Sequence, residues 1–419
     1  MHILYICSDS GIPVLGRKGA SVHVRSLVSA FTAAEHRVVL ATPLLNRSPW
    51  ETPATVEAEV MHLPANDETI AAVEEVRAYN DALGVTNTVP SELRRILYDQ
   101  HLKTKLVRRF QHAPPDFIYE RAALYGTAGV TLAKTLGVPL IVELNAPLSL
   151  EQSTYRGSYL PALAAEAERR TLAGADLVVT VSSTLREYVM GLGVPPDRIL
   201  VMPNGVDARM FAPGPASAAT RARWHLGPGP VIGFVGGLRP WHGVRALPAL
   251  LERLVPRHPG LQLIVAGDGP LREEITADLR QRYLDTRVIF TGPVAHEEVA
   301  ELVRLFDVAL APYDETNHLF YFSPLKLFEY MGCGVPVVAA SIGQIADVVR
   351  HEETGLLYAP GDLDGLTNAC HRLLADPPLR QRLGRAAAAH VHGQFTWARN
   401  AARVVDLARG LARPPVIPA

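Results

Sequence analysis

The sequence predicts an α/β fold made of two Rossmann-like domains in series, and three observations carry that prediction. A length of 419 residues suits two cores of roughly 200 residues better than one. Short apolar runs of strand length alternate with stretches of helical periodicity, which is the rhythm of a parallel sheet. That rhythm begins at His2, halts in a Pro- and Gly-rich stretch, and restarts at Val231.

The first strand, His2–Ser8, leads into a loop from Gly11 to Gly19 and a helix over about Ser21–Ala34. Val38–Ala41 forms a second strand, and Phe117–Tyr119, Leu140–Glu143 and Leu177–Val181 are further buried-strand candidates. Between them, 67–83 and 91–111 read as two inserted amphipathic helices. The second carries Arg94, Arg95, Lys103, Lys105, Arg108 and Arg109 among Leu93, Ile96, Leu97 and Leu106. Such a helix can lie on an anionic membrane, but the acidic residues mixed in nearby favour a solvated face on a core-packed helix.

Pro213, Gly214, Pro215, Gly227, Pro228, Gly229 and Pro230 mark 209–230 as a linker between a domain at 1–208 and a second at 231–395. The second domain reads as strand Val231–Val235, a glycine loop, helix Val244–Leu254 and strands Leu261–Ala266 and Val288–Thr291. Helix His296–Leu305, strand Val308–Ala311, a helix over about Pro324–Met331 and strand Val335–Ala339 follow, with a terminal helix at about 396–413. A ligand is expected in the cleft between two such sheets, at the carboxyl ends of their strands.

Composition removes several function classes. Hydrophobic residues make up 48% and charged residues 20%, which describes a globular chain. A net charge of −1 gives no reason to expect nucleic acid. Cys7, Cys333 and Cys370 lie far apart, without metal-type spacing, and fit a reducing cytoplasm. The opening run has no basic leader or cleavage site, and no stretch approaches the roughly 18 apolar residues of a membrane span. Five of the 41 basic residues are Lys, so each Lys is conspicuous.

The second domain opens with Phe234-Val235-Gly236-Gly237-Leu238-Arg239-Pro240-Trp241-His242-Gly243. Glycines after a strand and before a helix let a phosphate approach backbone N–H groups, although the same pattern also serves a plain tight turn. It is neither a Walker loop nor a dinucleotide fingerprint. Ala266–Pro270 and Phe290–Val294 close the next two strands, and Phe320–Ala339 runs through an apolar helix into a strand. Glu329 in that helix would be costly unpaired, and the adjacent hydroxyls of a ribose are a natural partner, as is a paired Arg.

With Lys18–Val24, Ala175–Ser182, Pro203–Asp207 and Phe395–Trp397, these segments resemble the retaining glycosyltransferases of family 4, with the two-domain GT-B fold. The resemblance spans nearly the whole chain. It implies transfer of a sugar from a UDP- or GDP-sugar to a small-molecule or glycan acceptor with retention of anomeric configuration. It also implies that the terminal helix packs back onto the first domain. Gly19 would face the donor phosphates and the acceptor, Glu329 would hold the ribose, and the Leu325 and Lys326 N–H groups would hold the distal phosphate. Gly292, Pro293 and Val294 would contact the base, with Gly236, Gly237, Tyr321 and Ser323 completing the donor set.

The departures define a variant pattern. Tyr321 stands where the family's first paired Glu is expected, and Gly237 and His242 stand at its usual Arg and Lys. Arg239, His242 and Lys326 are then the cations left for the diphosphate. The stretch that usually holds a catalytic-region His reads Glu143-Leu144-Asn145-Ala146-Pro147, leaving Glu143 and Asn145 as its polar candidates.

No metal and no cofactor are expected. Asp362-Leu363-Asp364 spells the metal-binding D-x-D, but Asp362 after Pro360-Gly361 is placed as a helix N-cap. Metal-free transfer calls for preorganised N–H groups and cations in a closed site, so the domains are expected to close over the donor. Two other functions use the same features: a nucleotide-sugar epimerase of this fold, and a nucleotide-sugar-binding protein without activity.

Overall fold

The computed structural model describes residues 1–47, 53–314 and 319–411. It contains two compact units, Met1–Pro203 with Ala398–Ala419, and Asn204–Trp397. Each is built on one parallel sheet.

In the first unit β1 (His2–Cys7), α1 (Gly19–Ala33), β2 (Arg37–Thr42) and β3 (Glu59–His62) lead into α2 (Asp67–Leu83) and α3 (Val89–Phe110). Then come β4 (Phe117–Arg121), α4 (Ala128–Leu136), β5 (Leu140–Leu144), α5 (Leu148–Glu151), α6 (Pro161–Gly174), β6 (Leu177–Thr180), α7 (Ser183–Gly191) and β7 (Ile199–Val201). The strand order is β3-β2-β1-β4-β5-β6-β7, all parallel. β4 and β5 are buried along their whole length, which is why they read as unbroken apolar runs despite Glu120, Arg121 and Glu143.

β3 has no such run, for the opposite reason: every residue of this edge strand is at least partly exposed. The basic helix α3 turns Tyr98, Leu102, Leu106 and Phe110 inward at four-residue spacing. No described helix is long and apolar enough to cross a membrane.

The second unit starts with α8 (Ala218–Arg223), β8 (Val231–Val235), α9 (Leu247–Leu254), β9 (Gln262–Ala266), α10 (Arg272–Gln281) and β10 (Val288–Gly292). It continues with α11 (His296–Val303), β11 (Val308–Ala311), α12 (Leu325–Gly332), β12 (Val337–Ala340), α13 (Gln344–Val348) and β13 (Gly355–Tyr358). Helices α14 (Leu363–Ala375), α15 (Pro377–Gln394) and α16 (Trp397–Leu411) close the chain. Its strand order is β10-β9-β8-β11-β12-β13. Both sheets therefore reverse direction of growth once, beside β1 and beside β8, and ligands of such sheets bind at that switch point.

Several boundaries differ from expectation. The stretch 209–230 is no free linker: it belongs to the second unit, holds α8, and is tied down by Arg304, which donates to the Met210 and Ala212 carbonyls. The helix expected from Val244 begins as a 3₁₀ turn, Val244–Ala246, before α9. The strand expected from Val335 starts at Val337, after Pro336, which has no N–H to give a ladder. Residues 412–413 of the expected terminal helix lie outside the described residues.

Candidate functional site

In the second unit, the loop after β8 forms the floor of the site. Gly236 has φ +142°, and a Cβ there would meet the Lys326 Nζ at 2.7 Å. Only a glycine lets the lysine come this close. Lys326 enters from the first turn of α12, is 8% exposed, and lays its ammonium 4.1 Å from the Phe234 ring centroid and 5.3 Å from that of Tyr313. Its Nζ has no hydrogen-bond partner. Burial pulls its pKa down to about 7, against the raising influence of Glu329. The start of α12 carries no side-chain cap, with Pro324 at the N-cap. The helix therefore presents the positive end of its dipole where Leu325 and Lys326 stand.

His242 departs from its expected role as a cation. Its Nδ1 lies 2.5 Å from the Gly237 carbonyl oxygen, which can only accept, so Nδ1 carries the proton and braces the glycine loop. Burial, then the Lys326 charge, push its pKa down to about 3. The ring is neutral at any ordinary pH. Arg239 is exposed, with its guanidinium 5.9 Å from the Trp241 ring centroid.

Glu329, four-fifths of a turn along α12 from Lys326, is 7% exposed. Its expected partner was a ribose or an Arg; within the protein it pairs with His296, whose Nε2 is 2.7 Å from Oε1. His296 opens α11, separated from the Gly292–Val294 loop by Ala295 alone, so this pair ties the expected base loop to α12. Ser323 is engaged elsewhere: its Oγ accepts from the Asn204 N–H and its carbonyl from Asn204 Nδ2. Tyr321 is 5% exposed and packs 4.4 Å from Phe322, centroid to centroid, as an aromatic cluster with Phe320 would require.

In the first unit, Gly19 opens α1 and is exposed. Glu143 is 1% exposed and its carboxylate is saturated. His23 Nε2 lies 2.8 and 2.9 Å from its two oxygens, Arg121 Nη1 donates at 2.9 Å, and Tyr119 OH and Asn145 Nδ2 also donate. These donors outweigh the burial penalty and hold the carboxyl well below the usual carboxylate range. Such a group orients its neighbours. Sequence reasoning gave His23 no role, although its motif was in view. The signal was a parallel register that aligns Arg121 with Glu143, which only strand pairing supplies.

The D-x-D carboxylates are spoken for. Asp362 caps α14 by accepting from the Gly365 N–H at 2.9 Å, and Asp364 pairs with Arg253. Among the described residues no group of three or more His, Cys, Asp or Glu side chains is placed to hold a metal ion.

Residues 18–205 match the family model "Glycosyl transferase 4-like domain", and residues 229–376 match "Glycosyl transferases group 1". The D-inositol 3-phosphate glycosyltransferase of Stackebrandtia nassauensis is 31% identical over 321 residues, covering 71% of this chain and 70% of its own. The chain is a group 1 glycosyl transferase. This transferase is also 27% identical over 401 residues to the glycogen synthase of Mycobacterium tuberculosis, covering 95% and 92% of the two chains. Its fold matches the crystal structure of Anabaena Alr3699/HepE in complex with UDP, with TM-score 0.70, 20% identity and coverage of 98% and 100%. Group membership and the paired Rossmann-like units make it an enzyme that uses nucleotide sugars.

Proposed function

We propose that this transferase moves a hexose from a UDP- or GDP-sugar to an acceptor hydroxyl with retention of configuration and without a metal ion. The observation that carries the reading is the Lys326 ammonium, buried, without a hydrogen-bond partner, beneath Gly236 and at the uncapped start of α12. An isolated buried charge costs several kcal/mol, on the order of what a paired anion returns. A diphosphate oxygen supplies that anion, the first-turn N–H groups of α12 receive it, and Arg239 neutralises it from the rim.

The same arrangement supports the reading of a variant subgroup in which Lys326 and Arg239 do the work of the missing cations at Gly237 and His242. Glu329, positioned by His296, accepts from the ribose hydroxyls, and Gly292–Val294 lies against the base. In the transfer step the bond between the anomeric carbon and the phosphate oxygen breaks, and the acceptor oxygen bonds to that carbon from the same face. The departing phosphate takes the acceptor's proton. Lys326 and the α12 amides stabilise the charge that develops on the leaving oxygen. The uridine diphosphate of the Anabaena structure and the sugar-transfer names of the relatives support this choice of donor. The committed D-x-D carboxylates support metal independence.

The test is a thermal-shift screen with UDP, GDP, ADP and dTDP, followed by turnover of the matching UDP- or GDP-sugar with and without EDTA and by NMR of the product anomer. A raised melting temperature with UDP or GDP, EDTA-insensitive transfer and a retained anomer are expected. Inversion or strong EDTA inhibition removes the mechanism. Epimerised donor or binding without turnover would replace transfer by one of the other readings.

A further inference from the structure

The second sheet parts at its switch point. On the β9 side β8 is paired along its whole length, from Val231 to Val235. On the β11 side the ladder ends after Ile232–Val308 and Gly233–Ala309, although the same register would bring Ala311 opposite Val235. Gly236 donates its N–H toward β9, to the Ala266 carbonyl, so the Val235 N–H faces the other way, into the gap. A side chain stands there in place of a strand. The Val235 N–H donates to the Tyr330 hydroxyl at 2.6 Å, and that hydroxyl lies 3.5 Å from the Val235 carbonyl oxygen. We propose that this hydroxyl is a positioning group: it sets α12 against the glycine loop and so fixes where Lys326 meets the donor diphosphate. The diphosphate rests on the transferase reading; the tie between Tyr330 and the surroundings of Lys326 does not.

Tyr330 is fully buried, and the Phe306 ring packs edge to face against it with centroids 6.4 Å apart. Phe306 in turn presses on β8 where Gly233 has no side chain: a Cβ there would lie 2.1 Å from its ring. The tyrosine is thereby wedged between α12 and β8 with its hydroxyl at the strand's end. Four residues earlier, on the same face of α12, stands Lys326. Its ammonium lies over Phe234, the neighbour of Val235, and over Tyr313, two residues past β11. Lysine and tyrosine thus enter the same gap from successive turns of one helix. Gly236, which closes over the lysine, directly follows Val235, so a shift at the strand end reaches it through one planar peptide.

Filling the core would not by itself call for a hydroxyl. Burial pushes the Tyr330 phenol well above tyrosine's ordinary range, so it stays protonated and keeps its capacity to accept from the Val235 N–H. Phenylalanine would occupy nearly the same volume but leave that N–H unmet in the interior, which is unfavourable. The strand end would then relax toward water, and water admitted there reaches Lys326. An amine holds its proton more firmly once hydrated, so the titration of this lysine gauges the tie. Two other titratable groups bear on the ammonium: Glu329 on α12, which raises its pKa, and His242 of the glycine loop, neutral at ordinary pH.

The chain has five lysines, so lysine enriched in carbon-13 at Cε gives few NMR signals, and Lys326→Met identifies the one from Lys326. In the ligand-free wild-type protein that signal is expected to titrate near pH 7. Tyr330→Phe should move its midpoint up by about one pH unit or more. Turnover of the donor should fall by about 10-fold or more, in kcat rather than KM, because the ammonium is displaced from the charge that develops in the transfer step. Leu279→Ala, which opens a cavity under the buried face of α10, lowers the thermal midpoint without touching the gap and should leave the Lys326 titration in place. An unmoved titration in folded Tyr330→Phe, a shift no larger than that in Leu279→Ala, or an unchanged kcat overturns the positioning role. So does a wild-type Lys326 signal that titrates in the ordinary lysine range. Should Tyr330→Phe not fold, hydrogen exchange of the wild-type protein decides: a peptide spanning Val235 is expected to be as protected as the rest of β8, and exchange at the rate of an exposed loop overturns the tie. A wild-type protein whose Lys326 titrates near 7 and moves in Tyr330→Phe, but which binds no nucleoside diphosphate, overturns the transferase reading and leaves Tyr330 as the group that holds the lysine.

Discussion

Glu143 in the first unit and Lys326 in the second are both charged groups under a tenth exposed, and they are treated in opposite ways. Glu143 is surrounded by His23, Tyr119, Arg121 and Asn145, and its ionised form is stabilised by them. Lys326 has aromatic rings and a glycine backbone around it and no hydrogen-bond partner. A saturated buried charge organises the protein itself. One left unmet in a fold is destabilising unless something from outside completes it, so the contrast separates a scaffold position from a ligand position.

The largest effect is expected from breaking the saturated side. Glu143→Ala strands Arg121 without its carboxylate, and urea denaturation should show a loss of about 3–5 kcal/mol, the scale of a broken buried pair. A loss below about 1 kcal/mol would show that the network is slack.

Lys326→Met should do the reverse. Turnover should fall about 10²-fold, as for a preorganised group aimed at a leaving-group charge, while the thermal midpoint rises because a destabilising charge is gone. With the Lys326 pKa at about 7 in the empty protein, nucleoside-diphosphate affinity should decline as pH rises above 7, where binding must take up a proton. In the variant that decline should vanish. Calorimetry in buffers of different ionisation enthalpy reads the proton uptake directly.

Glu120 sharpens the contrast, because it is buried on the same strand as Arg121 but on the other face, with no side chain bonded to either oxygen. Its Oε2 crowds Gly129, where a Cβ would sit at 2.0 Å. Burial, then the Asp99 charge, raise its pKa from 4.5 to about 8 against the lowering influence of the Gly129 N–H, so it meets burial by holding a proton. Stability from this group is complete below pH 4.5 and is lost as pH rises toward 8. Between about pH 5.5 and 7.0 the native protein should lose about 2 kcal/mol from it, at roughly 1.4 kcal/mol per unit. Glu120→Gln should flatten that slope in urea titrations at several pH values.

Smallest of all is the exposed pair of Asp364, 81% exposed on its side chain, with Arg253. Water already completes both charges there. Asp364→Asn should change stability by no more than about 0.5 kcal/mol and leave turnover and EDTA insensitivity as they were; a lost activity would revive a metal at the D-x-D.

Much of the fold was legible because parallel strands buried on both faces write themselves as apolar runs. β1, β8 and β11 were located this way to within a residue or two. β3, β7 and β13 were not: β3 is an exposed edge of mixed composition, and β7 and β13 are apolar runs of only three and four residues. At the site, the glycine loop and the start of α12 were visible as local spacing. The neutral state of His242, the His296 partner of Glu329 and the role of His23 were not, because each depends on residues 5 to 120 positions away in the chain.

The sequence by itself determined that there are two α/β units, that α12 begins at Pro324-Leu325, and that the chain carries the segments of a glycosyl transferase; these follow from periodicity and short-range motif. Tertiary structure alone decided which charges are met. Hydrogen bonds to Glu143 arrive from α1, from two residues of the adjacent strand β4 and from the loop after β5, whereas Lys326 is sealed against Gly236 with none. A side chain's neighbours across a sheet are set by strand order and register, and its ionisation follows from those neighbours and from the water they exclude.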